Sequence, residues 1–340
     1  MEHYRKIIVL FIVLFFPKLI FSQSYPDTAV NSLMRSGIKE IANQNYTEAS
    51  NDFLKLNKKY PGIPLGKIYI AATEIAKAYD LGEESNSDFI NNNLNKAEEQ
   101  SKKLLETDET NVWYNYFVAL CNGFKAYFDA INKNWFAAFS EGLSAKSDFE
   151  KCLKIDSNFY DAYIAIGAYD YWKSRKTEFL NWLPFMSDKE QVGINLINIA
   201  IKHSSYNNYS AISSLIWIYV DQRDYIKAKK TAEEGLKLFP DNRAFKWGLA
   251  RAYENIDKTI AIKYYQEVLQ SYLKVPNQNH YNEIILKHII AQIYQRIGDK
   301  SKALLLCNDI LSIKNLSEKV KENLSDRLKR VEAMKEELTR

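Results

Sequence analysis

Apolar side chains recur at helical spacing along most of the chain. Between Ile212 and Tyr219 the apolar residues are three or four positions apart, so they share one face of a helix. The next stretch carries Ala228 and Ala232 at a spacing of four and ends at Pro240, which lacks the amide hydrogen that a helix needs. This pattern predicts a hairpin of two helices.

The two-helix pattern repeats at a fixed interval. Tyr219 and Tyr253 hold the same position in successive units and lie 34 residues apart. Each further unit has an apolar or aromatic residue on its first helix and a small residue on its second. These pairs are Leu33 with Ala49, Trp113 with Ala145, Tyr163 with Gly193, Leu249 with Ala261, and Ile290 with Ala303. The repeats predict a stack of hairpins.

The repeated unit resembles the tetratricopeptide repeat family. Tyr219 and Ala228 match the family pattern, while Ile212 stands where the family has tryptophan and Ile216 where it has a small residue. The resemblance implies an all-α fold, an α-solenoid (superhelix) of about seven helical hairpins with a C-terminal capping helix. We expect the hairpins near residues 31–61, 64–107, 110–157, 160–205, 209–240, 243–273 and 284–313.

Small residues recur where the two helices of a hairpin would cross. A glycine or alanine at a crossing lets two helix backbones approach closely. The first helices supply Gly37, Gly167, Ala250 and Ala291, and the second helices supply Ala49, Ala228, Ala261 and Ala303. Each hairpin leaves one apolar face uncovered, so we expect neighbouring hairpins to cover it by stacking.

The last segment, residues 316–338, is charged and carries a narrow apolar stripe. Leu316, Val320, Leu324 and Leu328 recur there at a spacing of four. A terminal helix with one polar face keeps an open-ended solenoid soluble, so we interpret the segment as the capping helix. A short coiled-coil dimerisation helix is the alternative, and the sequence leaves the oligomeric state open.

Residues 1–22 have the pattern of a secretory signal peptide, with the mature helical-repeat domain at residues 23–340. Arg5 and Lys6 precede an unbroken apolar run that ends at Phe16. This run is shorter than the roughly 20 residues that cross a bilayer, which argues against a membrane anchor and a stable span. The first cysteine is Cys121, so no lipoprotein anchor is expected. We expect a periplasmic or secreted protein.

Two segments are longer than the repeat requires, residues 121–144 and residues 171–192. Both are rich in aromatic residues. The first holds Phe124, Tyr127, Phe128, Trp135, Phe136 and Phe139, and the second holds Trp172, Phe179, Trp182, Phe185 and Met186. Either the helices lengthen here and the aromatic residues form a local core, or they form a binding platform.

Composition and charge exclude several classes. The 340 residues include only 11 Gly and 7 Pro, which argues against a turn-rich β-sandwich. Aromatic residues make up 14%, so the chain has ample apolar surface to fold. The formal net charge is +4 without a basic block, so no nucleic-acid partner is expected. Three cysteines are no disulfide framework, and a single bridge from Cys121 to Cys152 stays open.

The resemblance also implies where a partner binds. In the family the first helices line the concave face of the superhelix, and we expect their solvent-facing residues to contact a partner. Tryptophan and arginine are enriched where protein partners dock. The candidate partner-binding residues are Asn111, Tyr114, Tyr171, Trp172, Trp217, Trp247, Arg251, His288, Gln292 and Arg296.

The sequence holds no recognisable catalytic or metal-binding motif, such as a nucleotide-binding glycine loop or a nucleophile elbow. His280 and His288 have no cysteine or acidic cluster beside them that completes a metal site, so we interpret them as exposed polar residues. No enzyme activity, cofactor or metal is expected. The favoured function is a non-enzymatic scaffold that binds a protein or peptide in its groove. The alternative is a module that binds glycans or small molecules through aromatic side chains.

Overall fold

The computed structural model describes residues 23–176 and 188–340, and these residues form fifteen α-helices and one 3-10 turn. The predicted signal peptide lies outside the described residues. Residues 177–187 of the second aromatic insertion also lie outside them, including Phe179, Trp182, Phe185 and Met186. The described part of the chain contains no β-strand.

The helices follow one another along the described parts of the chain. They are α1 (Thr28–Ala42), α2 (Tyr46–Lys59), α3 (Leu65–Leu81), α4 (Ser87–Thr107), α5 (Val112–Ile131), α6 (Trp135–Ile155), α7 (Tyr163–Lys176), α8 (Glu190–His203), α9 (Asn208–Asp221), α10 (Tyr225–Leu238), α11 (Arg243–Tyr253), α12 (Lys258–Leu273), α13 (Tyr281–Arg296), α14 (Lys300–Ser312) and α15 (Glu318–Thr339). The 3-10 turn, Tyr160–Ala162, precedes α7.

Consecutive helices pair as hairpins, from α1 with α2 to α13 with α14. First helices of neighbouring hairpins also touch directly, as α3 does with α5, α7 with α9, and α9 with α11. These contacts make the first helices the tighter inner layer of a curved stack, with the second helices outside it. The predicted all-α solenoid of about seven hairpins is confirmed.

Small residues lie where the helices of a hairpin cross. In the α7–α8 hairpin, Gly167 and Gly193 face each other so closely that a Cβ on either would lie 2.5–2.6 Å from the carbonyl oxygen of the other. In the first hairpin, the ring of Phe53 fills the space over Gly37. The alanines that the repeat predicted at crossings, such as Ala228, are buried.

The first aromatic insertion lengthens two helices, α5 to 20 residues and α6 to 21 residues. Its two halves differ in burial. Phe128 on α5 is buried in a local core with Ile75 and Leu94, whereas Trp135 and Phe136 at the start of α6 are 63% and 89% exposed. The local-core interpretation therefore holds for Phe128 and for the partly buried Phe124, whereas Tyr127 on α5 is 45% exposed.

The last helix, α15, covers the end of the stack. Its apolar stripe packs against α13 and α14, with Val320, Leu324 and Val331 buried beside Ile284 and Ala303. The expected capping helix is confirmed, and its apolar stripe is buried against the last hairpin of the same chain.

The solenoid closes on itself through a polar cluster around Asp80, at the end of α3. Its carboxylate pairs with Arg243 at the start of α11 and accepts hydrogen bonds from the hydroxyls of Tyr46 (3.0 Å) and Tyr272 (2.9 Å). The side chains of Arg243 and Asp80 are 11% and 14% exposed. Burial opposes the charge on Arg243, but the contacts with Asp80 outweigh it and raise the pKa of the guanidinium. The second hairpin is thus joined to the sixth.

Carboxamide side chains extend this closure along the loops of later hairpins. Asn242 donates a hydrogen bond to the carbonyl oxygen of Ala42 (2.6 Å), 200 positions away in the chain. Asn282 donates to the carbonyl oxygen of Asp80 (2.8 Å), and Asn279 to that of Gly82 (3.0 Å). Backbone carbonyls at the ends of α1 and α3 thus receive hydrogen bonds that their own helices do not supply.

A third contact joins the start of the chain to the loop before α9. The hydroxyl of Tyr206 donates to the Asn31 side chain (2.6 Å) and accepts from the backbone amide of Tyr25 (2.8 Å). The carboxylate of Asp161 organises this loop by accepting three backbone amide hydrogen bonds, one of them from Tyr206 (2.9 Å). Burial nevertheless raises the pKa of Asp161 to about 6. The first hairpin is therefore also joined to the loop between the fourth and fifth hairpins.

The three cysteines are buried and free. Burial raises the pKa of the Cys121 and Cys152 thiols to about 12, so both are protonated and unreactive at neutral pH. No disulfide joins them.

Candidate functional site

Two tryptophans lie on one side of the seam between α9 and α11. The helices touch where Ile216 packs over Gly248, since a Cβ on that glycine would lie 2.4 Å from the isoleucine side chain. Trp217 follows Ile216, and Trp247 precedes Gly248. Because α9 and α11 run parallel, a step forward on one helix and a step back on the other turn to the same side. The two indoles therefore share a surface.

Two arginines join this surface through a buried carboxylate. Arg251 Nη1 lies 2.9 Å from both carboxylate oxygens of Glu254, and Arg296 Nη1 on α13 lies 3.5 Å from Oε2. The hydroxyl of Tyr265 donates to Oε1 (2.5 Å), which holds the carboxylate from the core side. Burial disfavours the charge on Arg251, but its bonds to Glu254 prevail and raise its pKa.

We call Trp217, Trp247, Arg251 and Arg296 the inner-face patch. Trp217 is 36% exposed, and both arginines are exposed. Trp247 is half-buried, with its ring edge-on to Tyr272 at 6.3 Å between centroids. The patch thus combines apolar area with charged donors already oriented by the protein.

The remaining candidates lie in several environments. Asn111 caps α5 by accepting from the amides of Trp113 (3.0 Å) and Tyr114 (3.3 Å), so its side chain is engaged in local structure. Tyr114 is half-buried against Phe117. Trp172 is half-buried on α7, and Gln292 is half-buried on α13, one turn before Arg296.

Two candidates are not on the solvent side, and the expectation of exposure was wrong for them. Tyr171 is fully buried, because the close crossing at Gly193 turns this part of α7 toward α9, where its hydroxyl donates to Asp221 (2.8 Å). His288 is 2% exposed because α15 covers it, and Arg327 Nη1 lies 3.2 Å from its Nδ1.

Burial, together with Arg327 and Arg330, lowers the pKa of His288 to about 4, so the ring is neutral at pH 7. His280, which was also expected to be exposed, is half-buried, and its Nδ1 lies 2.8 Å from Oε2 of Glu283. In the described ranges, no group of three or more histidine, cysteine, aspartate or glutamate side chains is placed to hold a metal ion.

Sequence reasoning missed Glu254, which organises the patch. Its spacing of three from Arg251 is compatible with an ion pair on a helix, but such spacings are common. The contribution of Arg296 to the same carboxylate depends on how the last two hairpins stack. Among the helices in the described residues, none is long and apolar enough to cross a membrane.

No family model matches the sequence, and no curated protein matches it either. The motif residues of the repeat nevertheless lie at the helix crossings of consecutive stacked hairpins. The chain has the fold of a tetratricopeptide-repeat α-solenoid. Solved tetratricopeptide-repeat structures are similar to it at low sequence identity.

One is YrrB, described as having an unusual peptide-binding site, with 14% identity, a TM-score of 0.44, and coverage of 67% of this chain and 100% of that one. Another is the C-terminal part of a repeat protein from Cytophaga hutchinsonii, with 18% identity, a TM-score of 0.42, and coverage of 86% and 99%. A third, from Parabacteroides merdae, has 13% identity, a TM-score of 0.39, and coverage of 90% and 100%.

Proposed function

We propose that this tetratricopeptide-repeat solenoid is a non-enzymatic scaffold that binds a protein or peptide through the inner-face patch. The observation that carries the proposal is the exposed indole of Trp217 on the side of the α9–α11 seam that also carries two arginines held by one buried carboxylate. Tryptophan supplies large contact area, and guanidinium groups supply directional donors. Because Glu254 already orients Arg251, the arginine side chain loses less conformational entropy when a partner binds it.

We further propose that the protein acts outside the cytoplasm, in the periplasm or in the medium. The support is the order of basic, apolar and polar residues in the first 22 positions. Cell fractionation followed by N-terminal sequencing tests this. A mature chain that begins near Gln23 in an exported fraction supports export, and an intact N-terminus in the cytoplasm refutes it.

Selection of peptides from a displayed random library tests the scaffold function. Peptides that bind the protein should lose about tenfold or more in affinity with Trp217→Ala, as expected for a central tryptophan contact. The matched control is Leu305→Ala on α14, which removes a 61% exposed apolar side chain away from the patch. Selected peptides that bind both variants equally would show that the patch is not the site.

The alternative is a glycan or small-molecule site, and the exposed indole of Trp217 also supports it, since indole faces stack on sugar rings. Tryptophan fluorescence during titration with oligosaccharides separates the two functions. A spectral shift that disappears in Trp217→Ala would favour the glycan. An unchanged spectrum across a broad oligosaccharide panel would exclude it at this patch.

A further inference from the structure

An open cleft of about 620 Å³ lies at the closure of the solenoid, and none of its lining residues belongs to the inner-face patch. Asn43 and Gln44 line it from the turn of the first hairpin, Arg243 from the start of α11, and Gln266 and Gln270 from α12. These residues come from chain regions about 200 positions apart. The cleft therefore exists only while the first hairpin is docked on the sixth.

Every residue that lines the cleft has a polar or charged side chain. Three of the carboxamides, Asn43, Gln266 and Gln270, each offer a donor and an acceptor, which matches the alternating amides and carbonyls of an extended peptide. A volume of this size is typical of ligand sites. The absence of apolar lining residues argues against an apolar helix or an acyl chain as the occupant.

The charge of the cleft favours an acidic occupant. Arg243 and three lysines line it, against the two carboxylates of Asp241 and Glu267, so the cations are in excess. Arg243 is paired with Asp80, and the Nζ of one lysine, Lys246, lies 3.6 Å from Asp241. The other two, Lys263 and Lys274, are exposed and form no ion pair with any described residue. Their charges are available to carboxylates of a ligand.

Two of the polar groups are already fixed in place. Gln44 accepts from the amide of Arg243 (3.1 Å) and donates to the carbonyl oxygen of Ala42 (2.7 Å). Arg243 uses Nε and Nη2 on Asp80, and its guanidinium lies over the ring of Tyr272, with Cζ 4.9 Å from the ring centroid. A wall fixed in this way loses little conformational entropy when a ligand binds.

We propose that this cleft is a second binding site, which takes an extended acidic peptide segment of a partner protein. Asn43, Gln266 and Gln270 bind its backbone, and Lys263 and Lys274 bind its carboxylates. Because one wall belongs to the first hairpin, a bound peptide holds the solenoid closed by mass action. The site shares no residue with the inner-face patch and does not rest on it.

Fluorescence anisotropy with a labelled deca-glutamate peptide tests the site. We expect Lys263→Glu combined with Lys274→Glu to weaken binding about tenfold or more. The control is Lys154→Glu combined with Lys202→Glu, two exposed lysines on α6 and α8 that change the net charge equally and should leave the affinity within about twofold. Equal losses of affinity in both double variants would show that the peptide binds by general charge attraction, which would overturn the proposal.

Two further arms complete the test. A deca-glutamine peptide should bind about tenfold more weakly, and inorganic phosphate at matched ionic strength should not displace the deca-glutamate. Full displacement by phosphate would show a simple anion site and refute peptide recognition. Trp217→Ala should leave deca-glutamate binding unchanged, so failure of this site and failure of the inner-face patch are distinguishable.

Hydrogen exchange tests the link to closure. Bound deca-glutamate should slow amide exchange both in residues 42–46 of the first hairpin and in residues 263–274 of α12. Protection confined to α12 would show that the first hairpin forms no part of the site. That result would overturn the composite site even if the peptide binds.

Discussion

The crossing of α7 and α8 offers a sharp test of the hairpin geometry. Gly193→Ala places a methyl group 2.5 Å from the carbonyl oxygen of Gly167 and 2.9 Å from the backbone nitrogen of Tyr171. Both neighbours are backbone atoms, so no rotamer change can relieve the contact. The two helices must separate, and the packing of Tyr171 on α9 is disturbed with them.

Two opposing contributions determine the change in the free energy of unfolding. Overpacking of a tight core site costs about 1–3 kcal/mol, and a backbone obstacle places this site in the upper half of that range. Alanine recovers about 1 kcal/mol of helix propensity relative to glycine. We therefore expect Gly193→Ala to lower the free energy of unfolding by about 1–2 kcal/mol.

Urea unfolding followed by circular dichroism measures this change. The matched control is Gly62→Ala, because a Cβ on Gly62 meets no atom within 4 Å and its φ is not in the left-handed region. This control should be neutral or stabilise by about 0.5 kcal/mol through the unfolded state. If Gly193→Ala were as stable as Gly62→Ala, the close crossing of α7 and α8 would be refuted.

Three further predictions concern the cap, the closure and a buried histidine. Asn111→Ala removes the cap of α5 and should cost about 1 kcal/mol in urea unfolding, whereas an unchanged midpoint would show that the cap contributes nothing. Arg243→Ala leaves the buried Asp80 without its cation and should cost about 3 kcal/mol, with a larger radius of gyration in small-angle scattering; an unchanged radius and midpoint would contradict the closure. His288 has a folded pKa of about 4, below its unfolded value near 6.5, so its contribution to stability is present above pH 6.5 and is lost as the pH falls toward 4. Between pH 7 and pH 5 the protein should lose about 2 kcal/mol relative to His288→Gln, and parallel pH profiles of the two proteins would argue against a buried neutral ring.

The candidate site was predictable only in part. Trp217, Arg251 and Arg296 are exposed as the helical period indicates, because each follows from the phase of a single helix. Tyr171 and His288 have a similar phase, yet both are buried by elements outside their own helix, a neighbouring hairpin for the first and α15 for the second. Helical phase alone does not show which further element will cover a residue.

The sequence by itself determined the repeating hairpin, its small crossing residues and the capping stripe. These features depend on contacts within a few tens of residues, so a local period records them. Only the tertiary structure decided that the solenoid closes, since Asp80 and Arg243 are 163 positions apart. Small rotations from hairpin to hairpin add up along the stack, and their sum determines whether the ends meet. No local pattern records that sum.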